Sequence, residues 1–149
     1  SEVVETCGCP LLIENGSSPL RIQGTFSETE FLGRLCARSE TKLLIDVSAL
    51  CSDSRTHRFD PASWLDDVDA RQIVQFRITS ASELDNDGTP RPTISEQLSL
   101  VCRVLTRAEP RAIVLAMPPF GPLGDVDRLL AQIKAAVAGG NDADRVAVS

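Results

Sequence analysis

Tyrosine is absent from this chain, aromatic residues make up only 4 %, and histidine, methionine and tryptophan each occur once. So few rings exclude the stacking platforms on which single-stranded nucleic acids lie. A basic surplus is also missing. The formal charge is −6 and the isoelectric point is near 4.7, whereas a phosphate-binding groove needs a stripe of Lys and Arg. No apolar run approaches the ~20 residues of a bilayer span. The first residues lack the basic-then-apolar pattern of an export signal. The expected setting is cytoplasmic, with neither a membrane nor a nucleic acid as partner. A phosphate loop is lacking as well, because the GPLG stretch at 121–124 has neither the spacing nor the lysine.

The cysteines number five, an odd count that fits poorly with a disulfide framework in a chain without an export signal. Cys7 and Cys9 form a C-x-C beside Gly8 and Pro10. Two thiolates are half of a soft-metal site, and His57 is the sole imidazole able to join them. Residues 1–10 are therefore expected to be a flexible leader, with the role of this pair open. Cys36 and Cys102 fall on apolar helix faces, where a free thiol behaves as a small hydrophobe. Cys51 follows an expected strand and suits either core or site.

What is present is a rhythm. Apolar runs at Leu11–Ile13, Leu43–Val47, Ile73–Ile78 and Ala112–Met117 start about thirty to forty residues apart, the length of a strand-plus-helix unit. Helical segments lie between them. Ser27 with Glu30 reads as a capping box, followed by Phe31, Leu32, Leu35 and Cys36 on one face. Asp60 and Pro61 read as N-cap and first helical residue, ahead of Trp64, Leu65 and Val68. Thr93 with Glu96 is a second capping box, opening a stripe of Ile94, Leu98, Val101, Cys102 and Leu105. A last helix is expected over residues 125–138, stopping at Gly139 and Gly140. Trp64 is expected in the core, and residues 81–93 as a polar loop on the site face.

Strands that read as continuous apolar runs, alternating strictly with helices, specify a parallel sheet. The fold class is α/β. Sites in such sheets form beyond the carboxyl ends of the strands, where Glu14 and Asp46 fall. Two acids on neighbouring strand ends repel unless a cation or proton lies between them. As solvated strand ends or helix caps they would carry no site.

The stretches LLIEN, GTFSETEFLGRLCARSETKLLIDVSAL and THRFDPASWLDDV, in that order, resemble the second half of the multinuclear non-haem iron-dependent oxidases of the methanobactin-biosynthesis type. The resemblance runs from about Leu11 to Ala135. It implies (β/α)₈ barrels that modify cysteines of peptides with two or three irons, usually with a small partner protein. This chain would be four strand–helix units, half of a TIM-like (β/α)₈ barrel, over residues 11–138, with a flexible tail at 139–149.

The resemblance also assigns positions. Glu14 matches the family's strand-end glutamate, with Asn15 after it, and Asp46 matches the strand-end aspartate. His57 matches a ligand histidine, followed by Asp60 and Pro61, and Asp87 matches the aspartate of a DTH motif. Departures are as informative. Ala49 stands where an Asn or His belongs, Arg77 and Thr89 where histidines belong, and Ala116 where an acid belongs. An arginine cannot ligate a metal and disfavours cations beside it.

The reading that follows is a degenerate, non-catalytic homologue acting as a binding or scaffold module, with no cofactor. Glu14, Asp46, His57 and Asp87 would be relic metal positions, and Asn15 and Arg77 would line the pocket. Its partner would be a protein or peptide, a second copy, or an N-terminal half-barrel, because open sheet edges invite augmentation. The alternative is an active iron-dependent oxidase modifying peptide cysteines, its site completed by another chain or an N-terminal half.

Overall fold

The computed structural model describes residues 8–17, 24–80, 90–117 and 123–140. Its elements run β1 (Leu12–Glu14), α1 (Glu28–Ser39), β2 (Lys42–Asp46), α2 (Val47–His57), α3 (Pro61–Asp67), a 3₁₀ turn (Ala70–Gln72), β3 (Ile73–Thr79), α4 (Ile94–Leu105), β4 (Ala112–Ala116) and α5 (Leu123–Gly140). The four strands form one sheet in the order β1-β2-β3-β4, and every neighbouring pair is parallel. This is the α/β architecture expected from the sequence, consistent with part of a βα barrel.

The core lies on one face of that sheet. Leu43 and Ile45 of β2 and Phe76 and Ile78 of β3 are inaccessible to solvent, and they join Leu65, Val101 and Val104 from the helices. Trp64 is buried there too, and its indole N–H donates to Glu28 Oε2 at 3.2 Å. Alternation along the strands puts Leu12, Glu14, Leu44, Asp46, Gln75, Arg77 and Val114 on the opposite face. Among these only Asp46 is buried.

The starts of three helices obey their sequence signals to different degrees. Asp60 caps α3 by accepting from the Ala62 and Ser63 N–H groups, and the Ser63 hydroxyl, which also donates to it, joins them in holding its carboxyl below the usual carboxylate range, the hydroxyl contributing most. Thr93 and Glu96 make the full reciprocal box, Glu96 N–H to Thr93 Oγ1 at 3.2 Å and Thr93 N–H to Glu96 Oε2 at 2.7 Å. At α1 only half a box forms. Ser27 Oγ accepts from the Glu30 N–H, but the Glu30 carboxylate turns instead to Arg34, one helical turn on, at 2.9 Å.

Helix α2 is an element the apolar-run reading passed over. Val47 leaves the strand and begins this helix, so His57 ends a helix rather than sitting in a loop. Helix α5 also runs through Gly139 and Gly140 instead of stopping before them. Residues 1–7, residues 81–89 of the expected loop, and residues 141–149 of the expected tail lie outside the described residues. No helix among the described residues is long and apolar enough to cross a membrane.

Candidate functional site

The carboxyl ends of β1, β2 and β3 bring three charged side chains together. Parallel register sets Asp46 beside Arg77 and places Glu14 two residues short of Asp46 on the same face. The Arg77 guanidinium reaches both acids. Its Nε and Nη2 donate to Asp46 Oδ2 at 2.9 and 2.7 Å, and Nη2 also pairs with Glu14 Oε1. Asp46 is the most enclosed of the three, its side chain 11 % exposed, against 36 % for Glu14 and 38 % for Arg77. The hydrogen bonds that it donates to Asp46 hold the guanidinium even more firmly protonated than usual.

Both guanidinium N–H groups converge on one oxygen of Asp46 because the other has a separate duty. Asp46 is the N-cap of α2, and its Oδ1 accepts from the Ala49 N–H at 2.9 Å. The carboxylate therefore serves backbone and arginine at once. Asn15 is buried and mimics a strand peptide against the backbone of Asp46. Its Oδ1 accepts from the Asp46 N–H at 2.7 Å, and its Nδ2 donates to the Asp46 carbonyl at 3.1 Å. The side-chain amide thus continues the β1–β2 ladder past Glu14 and fixes the position of Asp46.

A second amide does the same for β3, at a residue the sequence reading missed. Gln97 of α4 is wholly buried. Its Oε1 accepts from the Thr79 N–H, and its Nε2 donates to the carbonyls of Thr79 and Pro92, at 3.0 to 3.1 Å. The signal was available, since Gln97 lies on the stripe of Ile94, Leu98 and Val101 as its one polar member. A polar side chain on an apolar face needs a buried partner.

The other candidate residues lie elsewhere or beyond the described chain. His57 closes the 11-residue helix that Asp46 opens, which separates the two by on the order of 15 Å. Asp87 and Thr89 lie outside the described residues, as does Cys7. Ala116 ends β4. Cys51 resolves to core: it is buried, and desolvation chiefly, with Glu96 and Asp46 adding to it, pushes its thiol up to about 11. Cys36 is buried in the same core, Cys102 is half-buried, and Cys9 is exposed.

Whether this donor set suits the iron implied by the resemblance is a matter of its chemistry. An iron site needs several imidazoles and carboxylates with lone pairs turned to one point. Here both oxygens of Asp46 are engaged, Glu14 faces a fixed cation, and the imidazole is a helix length away. Among the described residues no group of three His, Cys, Asp or Glu side chains converges. The described donors do not fit a multinuclear iron centre.

Comparison with known proteins gives the chain its relatives. It is 28 % identical to a UPF0276 protein of Rhizorhabdus wittichii over 128 residues, 81 % of this chain and 46 % of that protein. A UPF0276 protein of Rhizobium meliloti is 32 % identical over 88 residues, covering 58 % of this chain and 28 % of the relative. One from Streptomyces avermitilis is 27 % identical over 130 residues, 84 % of this chain and 27 % of the relative. The chain thus spans about half or less of the length of these relatives. The family model described as RiPP precursor modification enzyme MbnB/TglH/ChrH matches residues 1–137. On that match, which covers most of its length, the chain belongs to the MbnB/TglH/ChrH family of RiPP precursor modification enzymes.

Proposed function

We propose that this chain is a non-catalytic member of its family, a module that binds a peptide or protein at the carboxyl-end rim of its sheet. The observation that carries this reading is the Arg77 guanidinium seated against both Glu14 and Asp46. A permanent cation satisfies the two acids by ion pairing, and it electrostatically disfavours a metal ion at the same place. The family's description supplies the class of partner, a precursor peptide. Among the described residues the rim supplies ionic and hydrogen-bonding groups, and burial keeps the thiol of Cys51 protonated.

Titration with Fe(II) under anaerobic conditions tests this proposal. Wild-type protein should show no saturable heat, while Arg77→His should show saturable Fe(II) binding, because an imidazole would then stand between two carboxylates. Saturable Fe(II) binding by the wild type, unchanged in Arg77→His, would return the chain to the metalloenzymes.

A further inference from the structure

Asp46, Arg77 and Glu14 are satisfied to unequal degrees. Both oxygens of Asp46 are engaged, one by the Ala49 N–H and the other by the guanidinium. Arg77 commits Nε and Nη2 to the acids, and among the described residues nothing accepts a hydrogen bond from Nη1. Glu14 pairs through Oε1, and no described residue donates to its Oε2. A guanidinium is a rigid plane, so Nη1 lies next to the nitrogen that Glu14 holds. The open edge of the triad is therefore a donor beside an acceptor, on two side chains each more than a third exposed.

Charge and backbone narrow what this edge can take. Two carboxylates against one guanidinium leave one negative charge uncompensated. An anion would meet that surplus, and a metal ion would meet the guanidinium. The adjoining strand ends are already capped by side-chain amides. Asn15 holds the N–H and carbonyl of Asp46, and Gln97 holds those of Thr79. A peptide reaching these residues is held by the side-chain edge rather than by continuing the β2 or β3 ladder.

We infer that this edge captures the free amino terminus of a peptide. The terminal ammonium donates to Glu14 Oε2 and neutralises the surplus charge, while the carbonyl of the first residue accepts from Arg77 Nη1. Only Cα and the carbonyl carbon separate those two ligand groups, so a single residue spans the pair. A lysine side chain brings the charge without the carbonyl. An internal peptide group brings the hydrogen bonds without the charge. This inference rests on the peptide-binding reading above and names the part of the peptide that is read.

Tetra-alanine amide with a free amino terminus, compared with its N-acetylated form, tests this. Each is titrated into the full chain and followed by NMR through the backbone amides of Asn15, Asp46 and Arg77. The free peptide should shift them saturably, and the acetylated one should bind about tenfold more weakly or worse. Glu14→Gln should weaken the free peptide by a similar factor, with the helical circular dichroism unchanged. The comparison of the two peptides needs no variant, so it decides even if Glu14→Gln unfolds. Equal binding of both peptides, or binding that folded Glu14→Gln leaves unaltered, overturns the inference while the peptide-binding reading stands. Absence of a saturable shift with the free peptide overturns it as well, and the Fe(II) titration judges the underlying reading separately.

Discussion

Replacing Gln97 by Leu should cost about 3 kcal/mol of stability, although the two side chains are close in size and the site is fully buried. The amide makes three hydrogen bonds, taking the Thr79 N–H and serving the carbonyls of Thr79 and Pro92. Leucine fills the space but leaves one donor and two acceptors without partners, and each stranded group costs roughly 1–3 kcal/mol before relaxation. Relaxation and the extra apolar burial recover part of that sum. For a chain of this size the melting temperature should fall by about 10 °C. Urea denaturation of the variant checks this, and a loss below about 1 kcal/mol would mean that other groups satisfy the end of β3.

The second large effect belongs to Arg77. Arg77→Ala leaves Asp46, the most enclosed acid of the site, and Glu14 facing each other without their cation. Breaking a fully buried pair from one side costs roughly 3–5 kcal/mol. The arginine is more than a third exposed, so solvent screening reduces the expected loss to about 2 kcal/mol. The melting temperature should drop by about 6 °C. Adding Asp46→Asn should recover part of the loss, because asparagine still caps α2 while removing one of the two repelling charges. An unchanged melting temperature for Arg77→Ala would show that the guanidinium satisfies nothing.

Much of this fold could be read from the chain because its local signals agree with one another. Each apolar run became a strand, and Asp60 and the Thr93–Glu96 box became caps of the kind their spacing specifies. Helix α2 escaped for a physical reason. Val47, Leu50, Cys51 and Ser54 follow helical spacing, but Val47 continues the run from Leu43, and period alone does not say where a buried strand yields to a helix. The switch is made by Asp46, which ends β2 and caps α2 at once.

The site was legible as charges and illegible as architecture. Glu14 and Asp46 could be placed at strand ends from the pattern of apolar runs, and Arg77 came to the same pocket through the family resemblance. That Asn15 and Gln97 would act as strand peptides could not, because their partners are backbone groups distant in sequence. The capping box foreseen at Ser27 failed on competition: Arg34 lies one helical turn from Glu30 and takes its carboxylate.

In the function proposed above, Arg77 holds the place a metal would otherwise take. Iron content of the wild-type chain, purified without chelator from iron-supplemented cells and measured by elemental mass spectrometry, tests it most directly. The iron content should not exceed that of a non-metalloprotein carried through the same purification. Stoichiometric iron that survives dialysis would contradict it.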